Sequence, residues 1–199
     1  MELTLESNLF KKNTAVNGGA LFFSDDSNND NQKIIAKNNT FSKNSVTEFG
    51  GAIYSGSIIF NKNQFNTFEN NIISYNTADV MGGGIYSAQT TNIIQFNQSE
   101  WYFANNTINL HSNDYTTKPA YLSLNSPFNQ KIKLITGDIL LLNFTLFDGY
   151  DNIIKDVTKY YSSMTLRITL EKKNKDLYDN NIKDYYLQEN AKQLINGNI

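Results

Sequence analysis

Apolar and polar positions in the first half of the chain recur as one phrase. A large apolar residue stands three places before an asparagine, a hydroxyl residue and a small apolar one follow, and a glycine pair leads into a short apolar run. The copies are Phe10 to Asn13 with Gly18 and Gly19, Phe41 to Asn44 with Gly50 and Gly51, and Ile73 to Asn76 with Gly82 and Gly83. Gly18 to Gly50 and Gly50 to Gly82 are each 32 positions. A fixed period of this size marks a repeat architecture, in which each unit buries its apolar face by stacking on its neighbours. The first copy is one residue short between Asn13 and Gly18, and a fourth, degenerate copy at Leu110 to Asn113 lacks the glycine pair.

Successive side chains on a strand face opposite sides. Phe41 therefore enters a core, while Asn44, at the corner ending the strand, hydrogen-bonds turn backbone or takes a left-handed conformation. Stacked copies align asparagine above asparagine, each amide carbonyl accepting from the amide above. Glycine inside a strand costs entropy and marks a bend or a close backbone approach, so the glycine pairs read as corners. Ala52-Ile53-Tyr54 then forms a short strand, and Ile58-Ile59-Phe60, Phe65 and Phe68 supply one or two more. This predicts about three strands per turn and about three to four coils over residues 1–114.

Past Asp114 the pattern changes, and Lys118-Pro119 marks a boundary because proline biases its predecessor towards extended structure. Leu140, Leu142, Phe144 and Leu146 share one face of a run. Met164, Leu166, Ile168 and Leu170 share one face of the next, with Thr165, Arg167, Thr169 and Glu171 opposite. Alternation of this kind predicts antiparallel sheet with one buried face over residues 115–199. Near the end, Tyr186, Leu187, Ala191 and Leu194 fit a helix closed by Gly197, but a strand followed by an Asn196-Gly197 turn suits a sandwich better. The missing strand after that turn, and the missing cap before the first repeat, predict a piece of a longer protein.

Composition narrows the partners more than the fold. Formal net charge is -2, and no face concentrates Lys or Arg, so nucleic acid is excluded as an expected partner. Cysteine is absent, which removes disulfides and thiolate metal sites. About one residue in six is asparagine, far above ordinary usage. The longest apolar stretch, Ile139 to Leu142, is too short to cross a bilayer.

Phe-x-x-Asn followed by Gly-Gly-Ala-Ile resembles the repeat of polymorphic outer-membrane-protein passenger domains. That resemblance implies a right-handed parallel β-helix of the pectin-lyase-like type in a large surface protein, and the composition suits a ciliate-like protist source. Gly137-Asp138, the strand after it and Asp148-Gly149-Tyr150-Asp151-Asn152-Ile153 are similar to bacterial immunoglobulin-like and filamin-like domains, implying an Ig-like antiparallel β-sandwich, incomplete at its end, over residues 115–199.

Candidate chemistry is sparse. Asp25, Asp26 and Asp30 are the densest acids, as general acid/base catalysis on polysaccharides would need, but they lie in an asparagine-rich loop. Asp26, Asn28 and Asp30 have the alternation that opens a calcium loop, yet Asn31 stands where glycine belongs and Lys37 where glutamate does. His111, the sole histidine, has no nucleophile beside it in sequence and reads as structural. Trp101, Tyr102 and Phe103 read as bulk closing the last coils rather than as a sugar platform. Glycosylation sequons stand at Asn38, Asn97, Asn105 and Asn143.

The expectation is therefore a non-enzymatic, cofactor-free extracellular segment acting in surface recognition or adhesion, its parent membrane-anchored, its partners other protein chains, adjoining domains or carbohydrate. A polysaccharide lyase or hydrolase with its active site elsewhere, and a scaffold subunit of an assembly, are the competing classes.

Overall fold

The computed structural model describes residues 2–24, 33–56, 66–90, 96, 99–125, 135, 137–156, 158–161, 163–169 and 191–193. Among them the fold is all-β, with no helix and mostly parallel sheets. Four coils stack as a β-helix-like unit. The first holds β1 (Glu2–Glu6), β2 (Leu9–Lys11), β3 (Thr14–Ala15) and β4 (Leu21–Phe23). The second holds β5 (Lys33–Lys37), β6 (Thr40–Ser42), β7 (Ser45–Val46) and β8 (Ile53–Ser55). The third holds β9 (Thr67–Glu69), β10 (Asn71–Ser74), β11 (Thr77–Ala78) and β12 (Ile85–Ser87), and the last holds β13 (Trp101–Ala104), β14 (Thr107–Ile108), β15 (His111–Ser112) and β16 (Tyr115–Thr117). Four strands per coil, rather than three, result because the two residues after the asparagine corner, Thr14-Ala15, Ser45-Val46, Thr77-Ala78 and Thr107-Ile108, form a strand of their own.

Pairing is in register with the repeat. Phe10 lies over Phe41, Phe41 over Ile73 and Ile73 over Phe103, forming one inward column. Leu21, Ile53, Ile85 and Tyr115 form a second. Phe41, Ile53 and Ile73 are fully buried, and the Phe10 and Phe41 rings stack at 4.9 Å between centroids. The core is thus a set of apolar columns, each completed only by the coil above and below.

The fourth coil corrects the repeat assignment. Its phrase is Phe103 to Asn106 followed by Thr107 and Ile108, which pair with Ile73 and with Thr77 and Ala78. Leu110 is almost wholly exposed, and His111–Ser112 folds back antiparallel on Thr107–Ile108. The stack runs to Thr117, where β16 pairs in parallel with β12.

Beyond it, β17 (Pro119–Leu124) and β18 (Phe144–Asp148) form one antiparallel pair, and β19 (Thr165–Arg167) and β20 (Ala191–Gln193) another. Among the described residues these are two separate two-stranded sheets. The expected one-sided alternation holds in burial from Leu140 to Phe144 and from Thr165 to Thr169, but residues 140–143 form no strand, and in β18 it breaks where adjacent Thr145 and Leu146 are both buried. The reason is that β18 is packed on more than one side. Leu146 joins Ile154, Phe49, Val80, Met81 and Tyr86 in an apolar cluster between this segment and the coils, while Asp148 reaches the last coil. Met164 is 39% exposed and Leu166 and Ile168 are half-buried. Leu170, Tyr186, Leu187, Leu194 and the Asn196-Gly197 turn lie outside the described residues.

Candidate functional site

Two asparagine ladders run along the stack, one through all four coils and one through the first three. In the first, Asn13 donates its backbone N–H and Nδ2 to Asn44 Oδ1, Asn44 donates the same pair to Asn76 Oδ1, and Asn76 to Asn106 Oδ1, all within 2.9 to 3.1 Å. Each Nδ2 also reaches back to a carbonyl of the preceding coil, Asn44 to Phe10 and Asn76 to Phe41. Buried Asn44 and Asn76 thereby use both amide donors and accept twice at Oδ1, which satisfies the side chain and removes the cost of burying it. Asn106 ends the ladder by donating to Asp114 Oδ1 at 2.8 Å. A carboxylate acceptor there gives a charge-assisted terminus.

The second ladder links Asn8, Asn39 and Asn71 by the same paired donation. Sequence reading placed no role on these three. Their signal was in the repeat itself, an asparagine two places before each of Phe10, Phe41 and Ile73, which opens the phrase but was given no bonding role.

The left-handed residue is not the ladder asparagine but the one before it. Lys12, Lys43, Tyr75 and Asn105 precede the first ladder, Ser7, Asn38 and Asn70 the second, and all have φ between 51° and 58°. Gly50 supplies a third corner at φ 72°, where a Cβ would meet Ile53 O at 2.3 Å; Gly18 and Gly82 occupy the same corner in the neighbouring coils. Gly51 is needed for another reason: a Cβ there would lie 2.1 Å from Gly83 O. Gly19 and Gly83 are likewise walled by backbone. In the short first copy, Asn17 Oδ1 accepts from Phe49 N at 2.9 Å, a side-chain carbonyl standing in for the missing peptide.

Residues 40–56 match the Chlamydia polymorphic membrane protein (Chlamydia_PMP) repeat. The matched repeat spans β6, β7, the glycine corner and β8, the part of the coil that carries Phe41, Asn44, Gly50 and Gly51. No curated protein and no solved structure matches the chain.

The joint beyond the repeat is made by Asp148. Its fully buried carboxylate accepts from Thr116 Oγ1 and Thr117 N on the last coil, and from Tyr150 N, Asn152 N and Asn152 Nδ2 in its own turn. Five donors compensate the burial of one carboxylate. Alongside, Asp156 accepts from Tyr160 N and Tyr161 N, which sets Tyr161 against Met81 Sδ at 3.4 Å and Tyr160 edge-on to Phe49. Burial pushes the Tyr86 phenol far above its ordinary value, and burial pushes Tyr161 up to about 12.

The joint borders a groove of about 460 Å³ lined by His111, Asp114, Asp151, Asn152 and Lys155. Its acids are already engaged: Asp114 ends the ladder, and Asp151 accepts from Tyr121 Oη at 2.6 Å. Among the described residues no group of three or more His, Cys, Asp or Glu could hold a metal ion. Asp25, Asp26, Asn28, Asp30 and Asn97 lie outside the described residues. Trp101 is buried, Phe103 packs partly buried against the core, and Tyr102 faces outward at 60% exposure. The sequon residues Asn38, Asn105 and Asn143 are exposed.

Proposed function

We propose that this chain is a non-enzymatic structural and interaction segment of a large cell-surface protein, acting in recognition or adhesion. The observation that carries the reading is the match of residues 40–56 to a repeat of polymorphic membrane proteins, on the residues that make the coil. In this reading the stack is a right-handed β-helix of the pectin-lyase-like type, the segment beyond Lys118 belongs to an Ig-like module, and the parent is membrane-anchored in a ciliate-like organism. Its partners are other protein chains, adjoining domains or carbohydrate. Exposed Asn38, Asn105 and Asn143 would carry N-glycans, which the outward side of a coil accommodates.

The test is location. Antibodies against the purified chain should stain intact, unpermeabilised cells of the source organism, and glycosidase treatment should shift the native protein on a gel. Staining that needs permeabilisation would overturn the reading. Cleavage of members of a polysaccharide panel by the purified chain, lost on mutation of Asp114 or Asp151, would replace it with the enzyme class.

A further inference from the structure

The groove beside the joint is bounded by two walls from distant parts of the chain. One is the fold-back at the end of the last coil, His111 to Asp114; the other is the turn after β18, Asp151 to Lys155. Both walls are pinned by hydrogen bonds. Asn113 donates its N–H to Asn106 O and accepts from Gly82 N at 3.0 Å. Asp151 N donates to Asp148 O, Ile154 N to Leu146 O, and Asn152 N to Asp148 Oδ1. A site held in this way loses little freedom when it is filled. Its volume of about 460 Å³ lies within the range of small-molecule sites, about 300–1,000 Å³.

The groups that line it are only half spent. Asp114 accepts from Asn106 Nδ2 through Oδ1, and Asp151 accepts from Tyr121 Oη through Oδ1; among the described residues both Oδ2 atoms accept nothing. The Lys155 ammonium pairs with neither carboxylate, and the His111 ring and Ser112 hydroxyl have no protein partner among the described residues. Each carboxylate is therefore oriented by one oxygen and open at the other, on a rim that also carries free donors. Buried Ile108 and exposed Ile153 add apolar surface to the same groove.

This combination selects the chemistry of a ligand. An anion meets Asp114 and Asp151 and a cation meets Lys155, so a strong charge of either sign is opposed by like charge. An extended peptide finds no edge to pair with, because β15 is only two residues long. A sugar ring has hydroxyls that both donate and accept, and a C–H face that packs on aliphatic side chains. We propose that the groove binds a short neutral saccharide, whose hydroxyls donate to Asp114 Oδ2 and Asp151 Oδ2 and accept from Lys155 Nζ, with a C–H face against Ile153. The proposal rests on the reading of the chain as an interaction segment and names the class of its carbohydrate partner.

The test is a titration of the isotopically labelled full chain with galactose, lactose and maltose, followed by amide NMR. Residues 108–115 and 151–155 should shift, while residues 33–46 stay in place. Lys155→Ala and Asp151→Asn should each weaken binding about tenfold, through loss of one hydrogen bond to a charged group. Lys155 is exposed, and asparagine tolerates the left-handed backbone of Asp151 at φ 62°, so unchanged amide positions at residues 33–46 should show both variants folded. Galacturonic acid should bind more weakly than galactose. No shift with any of these sugars, equal binding by wild type and both variants, or tighter binding of galacturonic acid would each overturn the proposal. Its failure is distinct from failure of the surface reading: sugar binding by a chain that stains only permeabilised cells keeps the site, and staining of intact cells without sugar binding removes it.

Discussion

Replacing Asn76 with Asp changes one NH2 for an oxygen at the centre of the longer ladder. The residue is fully buried. Its Nδ2 donates to Phe41 O at 3.0 Å and Asn106 Oδ1 at 2.9 Å, while its Oδ1 accepts from Asn44. In Asn76→Asp the new oxygen faces two acceptors. An ionised carboxylate would be both desolvated and repelled, so the folded state holds the side chain protonated, with one O–H to serve two acceptors. Leaving one buried acceptor unsatisfied costs about 1–3 kcal/mol. The rest depends on pH. The folded pKa is raised above the unfolded value of about 3.9. The acid-state stability is therefore fully present below about pH 3.9 and falls by about 1.4 kcal/mol per unit as pH rises, reaching roughly 4 kcal/mol at pH 7 if the proton is kept throughout. Urea unfolding of wild type and variant across pH 3.5 to 7 measures this difference. A penalty below about 1 kcal/mol that does not change with pH would refute the claim that the ladder amides are dry and fully bonded.

Three further perturbations follow from the same geometry. Gly51→Val forces a side chain against Gly83 O and Thr77 O, at 2.1 and 2.8 Å from the Cβ alone; overpacking plus loss of one or two inter-coil hydrogen bonds should cost about 2–5 kcal/mol, and an unchanged melting curve would sink the close-approach assignment. Asp148→Ala leaves the Thr116 hydroxyl and Thr117 N–H without their acceptor, for about 2–6 kcal/mol at roughly 1–3 kcal/mol for each unsatisfied donor, and hydrogen exchange at residues 115–118 should speed up while residues 40–46 stay protected. Raising pH tests the tyrosines: folded pKa values above the unfolded value of about 10 mean stability that is whole below pH 10 and declines as pH climbs towards 12, by at most about 2.7 kcal/mol per unit for two protons. Tyr161→Phe should lessen that decline, which ultraviolet titration alongside denaturation would detect.

The coil was legible because its period is written in residues that cannot be exchanged. Gly50 is fixed by its left-handed corner, Gly51 by backbone contact, Asn44 by four hydrogen bonds and Phe41 by its column, so these positions recur. What was hidden lacked such contrast. Asn39 and Asn71 are as tightly bonded as Asn44, but in a chain this rich in asparagine their recurrence two places before Phe41 and Ile73 did not reveal a second ladder. The fourth coil lost its glycine pair, and Asn113, donating its N–H to Asn106 O and accepting from Gly82 N, closes that corner with a side chain instead. Beyond Lys118 the alternation of Leu140 to Leu146 presumed a single covered face, whereas Thr145, Leu146 and Asp148 are all buried by contacts from different directions. Asp148 was visible only as a turn residue, because its grip on Thr116 and Thr117 spans more than thirty positions and no local pattern records it.

The ladder geometry also has a mechanical meaning. Hydrogen bonds between coils run along the stack axis, so a pull along that axis loads neighbouring coils in series, peeling one layer before the next feels the force. Each layer that yields would release about 31 residues, roughly 100 Å of extended chain. A stack built this way gives way in steps under axial tension and resists sideways load far better, because shear across a coil must break many bonds together.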